Sequence, residues 1–391
     1  MNRRDFVARM MASAGSVGLS RCATPLGAPV ERFVAPIRFR PGLVEAEIGA
    51  RPFRPTGFRL ERTTNAGKTI IHNYGHGGAG VTLSWGAARM AIALAGPELE
   101  PHAGVLGGGV IGLSTAISLQ RRGVKVTMYT QNLVNGTSSL LAPAQFFPSH
   151  AYELCRLSEN SANEIVRATW LSRSEFTKIH KESMYEGVAE IDNFHISNTQ
   201  GRVVLDPVIA RMPWLYAGFE NYAKDDTPFP ARFVYKFRTF AIDMPRYLES
   251  LKSDFLKRGG DIRHIKISRL ADLATLPQRV LFNCLGAGAG PIFENRELQS
   301  ISSWVVTIPG SQIDYMLVGE GCVAIPRSHS TILVGPRLFG PPSVAAMHST
   351  VTQVVSAAKS VFDTMPERGS VRPGVRSDVR ERAAFTTRGS C

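Results

Sequence analysis

The sequence predicts an α/β fold mixed with α+β: a dinucleotide-binding domain interrupted by a second domain built on a mixed or antiparallel sheet. Three observations predict it. A GxGxxG turn at Gly107, Gly109 and Gly112 sits inside a strand–turn–helix–strand unit, the setting that gives such a turn its meaning. A second glycine-rich turn, Gly75 to Gly80, joins a β-branched strand to another helix. Alternating apolar segments at 191–196, 231–240, 304–308, 322–326 and 331–335 supply the strands of the interrupting sheet. A chain of 391 residues has room for two or three domains, or for one nucleotide-binding domain with a large insertion.

The nucleotide unit begins with the short strand Gly104-Val105-Leu106. Leu113, Ala116, Ile117 and Leu119 then recur at helical spacing, and Arg121-Arg122-Gly123 ends the helix with basic residues and a glycine stop. Residues 124–129 form the next strand, completing a Rossmann-like unit. Gly107 permits the tight turn, Gly109 lets backbone approach a pyrophosphate, and Gly112 lets helix and strand pack closely. Val110 and Ile111 open the helix, where free N–H groups face an anion. The second strand ends Thr130-Gln131-Asn132, neutral where a carboxylate for the ribose hydroxyls is usual. No arginine follows, so a 2′-phosphorylated cofactor is not indicated. The hydroxyl-rich loop Gly136-Thr137-Ser138-Ser139 can donate to phosphate oxygens.

The other glycine turn packs four glycines into six residues after Ile70-Ile71-His72-Asn73-Tyr74. Such a loop lets main chain lie against a flat ligand. A helix starting near Thr82 follows, with Leu83, Ala87, Met90, Ala91 and Leu94 on one face. His72 and His76 read as structural. Farther on, 150–185 reads as helical, 244–257 as an amphipathic helix ending at Gly259-Gly260, and 261–267 as a strand. Residues 279–286 read as a buried strand entering a glycine turn at Gly286.

Composition narrows the function classes. Hydrophobic residues make up 44% and charged residues 20%, which excludes wholesale disorder, collagen and coiled coil. No apolar run approaches the ~18 residues that suggest a membrane span. The 45 Lys+Arg against 32 Asp+Glu give +13, but the basic residues are scattered and lean on arginine, suited to bidentate carboxylate capture rather than to nucleic acid. The five cysteines form no CxxC pair and lie at no zinc spacing, so neither a metal nor a disulfide framework is expected. Arg3-Arg4 followed by the weakly apolar stretch 10–19 reads as a twin-arginine export signal to the periplasm; a frayed basic N-terminus on a cytoplasmic protein is the other reading.

The block from Ile70 to Ala88, together with Arg51-Pro52-Phe53-Arg54-Pro55 and Phe58 to Arg62, closely resembles the signature of the D-amino-acid oxidase family. With gaps the resemblance covers most of residues 45–340. In familiar members the GxGxxG segment opens the chain and this block closes it; here the closing block comes first. The resemblance implies FAD as cofactor, with Gly77, Gly78, Ala79, Gly80, Thr82 and Gly286 joining Gly107, Gly109, Val110, Ile111, Gly112, Thr137 and Ser138 as its contacts. It implies Arg51 as the clamp for a substrate carboxylate, with Arg372 as a rival, and the carbonyl of Gly78 as receiver of the amine. Departures lie at Ser302-Ser303-Trp304 and before Pro326-Arg327, where the family's substrate tyrosines are missing; Tyr315 is the candidate substitute.

The implied division is a leader over 1–30, an FAD-binding domain over 31–148, a substrate domain over 149–258, a return to the FAD domain over 259–295, further substrate domain over 296–345, and a helix with a basic tail over 346–391. The tail after Arg368 reads as a degenerate remnant or as disordered. The implied reaction is oxidative deamination of a D-amino acid to a 2-oxo acid and ammonia, by hydride transfer to the flavin, with dioxygen reduced to hydrogen peroxide. Oxidation of glycine, D-aspartate or a secondary amine, or a flavin-binding homologue that has lost catalysis, stand as alternatives.

Overall fold

The computed structural model describes residues 32–39, 45–65, 67–199, 201, 203–340 and 347–385. The export signal read at the N-terminus lies outside them. Two large sheets organise these residues.

The first sheet has six strands in the order Asp261–His264, Lys125–Leu133, His102–Gly108, Val280–Asn283, Lys68–Tyr74 and Arg59–Asn65. All neighbours run parallel except the last pair. Parallel strands covered on both faces read as continuous apolar runs, and Val280–Asn283 at the centre is buried throughout. Successive side chains feed opposite cores: Ile71, Val105 and Phe282 enter one cluster, while Ile70, Leu106 and Leu281 enter another. Val280–Asn283 pairs with the strand before each glycine turn, so it brings the two turns, distant in sequence, side by side at the C-terminal end of one sheet.

Helices Gly80–Ala95, Val110–Gln120 and Met244–Lys257 contribute to the larger core. Met244–Lys257 runs over the residues its spacing predicts, burying Met244, Tyr247, Leu248, Leu251 and Phe255. Gly80–Ala95 is buried on more than one face; its predicted apolar residue Leu94 is 37% exposed. The long helix Glu159–Lys181 crosses it. Ser158 caps that helix, accepting from Ser161 N–H at 3.0 Å, and Lys178, His180 and Lys181 complement its C-terminal dipole.

The second sheet has ten strands and is mostly antiparallel, Tyr315–Gly319 against Val188–Ser197 being a parallel pair. Strand Gln299–Pro309 pairs along one edge with Glu45–Phe53. Residues 45–53 were expected in the FAD-binding domain; cross-strand pairing instead places them in the second sheet, next to the other domain. The tail also differs from expectation. Gly369–Val371 pairs with Arg32–Val34, Val375–Arg376 joins the second sheet, and Ala383–Phe385 pairs with Val203–Leu205. Strand Asp261–His264 is shorter than the stretch read at 261–267. Cys155 is disulfide-bonded, contrary to the reading of isolated thiols, whereas Cys284 and Cys322 are free and buried.

Candidate functional site

A cavity of about 400 Å³ opens at the C-terminal ends of the parallel strands, where open α/β sheets bind their ligands. Both glycine turns line it. Gly77, Gly78 and Gly80 contribute from one, Gly107, Gly109, Val110 and Ile111 from the other, and Thr137, Ser138 and Gly286 also line it. Thr130 and Gln131, at the strand end that lacks a carboxylate, also line it.

The GxGxxG glycines are held by packing. A Cβ on Gly107 would lie 2.4 Å from the Cys284 carbonyl oxygen, and Gly107 has φ +104°, which favours glycine. A Cβ on Gly112 would lie 1.9 Å from the Gly107 carbonyl oxygen. Gly112 is therefore a packing residue and does not line the cavity. Gly109 differs: a Cβ there meets one atom closely, Ser139 Oγ at 3.0 Å, so its backbone faces open space. The helix that follows has no side-chain cap on Gly109; Ser139 Oγ accepts from Val110 N–H at 3.0 Å. An open glycine cradle, a helix start without a side-chain cap on Gly109 and adjoining hydroxyls fit a pyrophosphate.

In the other turn, Gly78 N–H donates to the His150 carbonyl at 3.1 Å. Ala79 is buried and does not line the cavity. Thr82, expected as a flavin contact, is pinned elsewhere: its Oγ1 donates to the Phe147 carbonyl at 3.0 Å and accepts from Phe147 N–H at 3.1 Å. It fastens the 145–147 segment to the helix.

Both histidines of this block are locked in neutral form. Burial holds His72 down to about 4, and its ring nitrogens meet Thr63 Oγ1 at 2.9 Å and Asn283 Nδ2 at 3.0 Å. Burial holds His76 down to about 3, stacked on Phe58 with ring centroids 4.7 Å apart. Neutral rings suit a packing role, although His76 also lines the cavity.

Arg51 reaches the cavity from the second sheet, so the wall is built from both domains. Its Nη2 donates to Ser303 Oγ, and a Cβ on Gly78 would lie 3.4 Å from its Nη1. Burial and then the nearby charge of Arg337 lower its pKa below the ordinary arginine value. Ser303, one of the departures noted in the sequence, is thus the residue that orients this guanidinium.

Two expected substrate residues are elsewhere. Tyr315 is fully buried in the second core against Phe194 and Phe229, its hydroxyl donating to the Ala35 carbonyl at 2.7 Å. Arg372 is mostly exposed, with Asp226 3.8 Å away. Burial of an aromatic face with one satisfied hydroxyl accounts for the tyrosine; a surface ion pair accounts for the arginine.

Sequence reasoning did not pick out Asn73, Lys266 and Leu285 as lining, nor His150 behind Gly78. Asn73 ends a strand and Lys266 follows one, positions legible only once strand order is known. Nothing in the local sequence marks His150. Among the described residues no group of three or more His, Cys, Asp or Glu could hold a metal.

Fold and cavity together define an α/β protein of the dinucleotide-binding class, with a cavity between a mostly parallel sheet and a second, mostly antiparallel one. Comparison with known proteins names the family: residues 102–388 match the model of the FAD dependent oxidoreductase family, DAO, and the chain belongs to it. Its cofactor is FAD. A D-amino-acid oxidase from Rubrobacter xylanophilus is 54% identical over 59 residues, 15% of this chain and 18% of that protein. A D-aspartate oxidase from Cryptococcus neoformans var. grubii is 46% identical over 54 residues, 13% and 14% respectively. The aligned stretches therefore span under a fifth of these relatives. The structure of a glycine oxidase from Bacillus cereus is similar at a TM-score of 0.47 and 13% identity, covering 73% of this chain and 88% of that one.

Proposed function

We propose that this FAD-dependent oxidoreductase oxidatively deaminates D-amino acids to 2-oxo acids and ammonia, with dioxygen reduced to hydrogen peroxide. The observation that carries the reading is the meeting of Arg51 and both glycine turns around one cavity. When bound, FAD supplies the acceptor for the hydride leaving Cα. The protein's own residues bind and orient. Arg51, oriented by Ser303, pairs with the substrate carboxylate, an interaction strengthened by its burial. The Gly78 carbonyl receives the substrate amine, and the His150 carbonyl anchors the Gly78 amide that positions it. Positioning and exclusion of water are the protein's share of catalysis.

The test is direct. The purified protein shows flavin absorbance bands, and peroxide release over a panel of D- and L-amino acids is confined to D-enantiomers. A colourless protein that takes up no added FAD, or peroxide from L-amino acids alone, overturns the reading. Twin-arginine export is proposed on the leader sequence; fusion of residues 1–30 to a reporter that matures only when exported folded checks it, with Arg3→Lys/Arg4→Lys expected to abolish export.

A further inference from the structure

The end of the cavity away from Arg51 has lost one charge and gained the opposite one. Strand Lys125–Leu133 lies between His102–Gly108, which leads into the GxGxxG turn, and Asp261–His264. Its end therefore stands between that turn and residues 265–267, and Thr130, Gln131, Asn132, Ile265, Lys266 and Ile267 all line the cavity there. In a dinucleotide fold this strand end meets the adenosine ribose, usually with a carboxylate that accepts from its hydroxyls. Here the lining holds no aspartate or glutamate. Its two cationic side chains are Arg51, beside Gly78, and Lys266.

Hydrogen bonding at the strand end leaves two groups over. Thr130 Oγ1 donates to the Asn132 carbonyl at 2.6 Å, and Asn132 Nδ2 donates to the Gly136 carbonyl at 3.2 Å, so both are engaged. Among the described residues the Gln131 amide and the Lys266 ammonium have no hydrogen-bond or ion-pair partner. Asp261 and Asp272, the carboxylates of the same stretch as Lys266, are taken by Arg263 and Arg269. Lys266 follows two residues after His264, the partner of Thr130, which keeps it beside the Gln131 end of the strand. Nothing after Thr130 in the chain announces a cation; the lysine arrives from the neighbouring strand.

An ammonium offers three donors and no acceptor, and an amide two donors and one acceptor. That is a poor match for two ribose hydroxyls, which need somewhere to donate, and a good match for phosphate oxygens, which accept. The pyrophosphate already has its cradle at Gly109 and the hydroxyls of 137–139. Two strand spacings, about 10 Å, separate His102–Gly108 from the strand that leads to Lys266, so Lys266 serves a different anion.

We infer that this end of the cavity accepts an adenine nucleotide phosphorylated on its own ribose, with the Gln131 amide on the ribose and the Lys266 ammonium on the added phosphate. The class covers a 2′-phosphate, as in NADPH, and a 3′-phosphate, as in coenzyme A. Because FAD needs the same cradle, such a nucleotide competes with the cofactor and ties flavin loading to its own concentration.

Competition tests it. FAD is titrated into the flavin-depleted full chain at low ionic strength, where an exposed ammonium is least screened. Flavin fluorescence gives the apparent Kd with adenosine 5′-monophosphate, adenosine 2′,5′-bisphosphate or adenosine 3′,5′-bisphosphate present. At least one bisphosphate binds about tenfold tighter than the monophosphate or better, the size of one hydrogen bond to a charged group, and the tighter of the two gives the phosphate position. Lys266→Ala abolishes that advantage, and Gln131→Glu, which puts back a carboxylate, reverses it; both residues are exposed, so the variants fold. Calorimetric titration with the nucleotides alone gives the same ranking independently of flavin. Bisphosphates no tighter than the monophosphate overturn the inference, as does an advantage that survives Lys266→Ala.

Discussion

At the scale of single residues, the cavity depends on where side chains are allowed and where they are not. Arg51→Ala removes the one guanidinium that both lines the cavity and is held by Ser303. Loss of a charge-assisted pair of this kind costs about 2–4 kcal/mol or more, so KM for amino acid rises at least about thirtyfold while FAD stays bound. Steady-state kinetics beside the flavin spectrum check this; unchanged kinetics would remove Arg51 from the site. Gly112→Ala is a different experiment, because the added methyl would lie 1.9 Å from the Gly107 carbonyl oxygen. The helix must move away from the glycine turn, and the expected result is loss of FAD binding, read by flavin fluorescence on titration, before any change in substrate preference. Ser303 shows what residue reading can miss: it looked like a departure from the family's pattern, and its role emerges only beside Arg51.

At the scale of elements, the decisive contact is the crossing of helices Gly80–Ala95 and Glu159–Lys181. Gly86 allows it: a Cβ there would lie 2.0 Å from the Ala168 carbonyl oxygen, and Ser172 Oγ accepts from Gly86 N–H at 2.8 Å. Gly86→Ala forces two long helices apart and should destabilise the protein by at least about 3 kcal/mol, the upper range for overpacking against backbone. Urea unfolding curves read it directly, as a fall in midpoint without a change in slope. Helix Gly80–Ala95 was legible as a helix from its spacing, but the face it buries was not. The periodicity marks one stripe, whereas the helix is enclosed by sheet and helices together. Strand Glu45–Phe53 gives the converse lesson. The strands that follow it in the chain belong to the first sheet, and nothing local signals that it pairs with Gln299–Pro309, more than two hundred residues later.

At the scale of the whole molecule, buried histidines couple stability to pH. Burial holds His72 and His195 to about 4 and His76 to about 3, against an ordinary 6.5. The unfolded chain therefore takes up protons at these rings before the folded protein does. Their contribution is fully present above about pH 6.5 and is lost as pH falls towards 4. The loss reaches several kcal/mol for the three together, since a tenfold change in proton affinity between folded and unfolded chain is worth about 1.4 kcal/mol. Thermal unfolding at stepped pH should show a Tm level near neutrality and falling steeply below about pH 6. A Tm constant to pH 4.5 would contradict it. His195→Gln, outside the cavity lining in the stack with Tyr235 and Phe237, should shallow that slope without altering FAD affinity.

The sequence by itself determined the nucleotide turn, the two glycine loops, the family and its cofactor, because each is a local pattern whose geometry is fixed within a few residues. The strand Val280–Asn283 was legible for the same reason, as an apolar run ending at a glycine turn. Tertiary structure alone decided which elements meet. It inserted Val280–Asn283 between the strands of the two glycine turns, and it brought Arg51 across from the second sheet to the cavity wall. It withdrew Tyr315 into the core. Pairing between strands far apart in the chain follows from burying two faces of two sheets at once, and no short stretch of sequence carries that requirement.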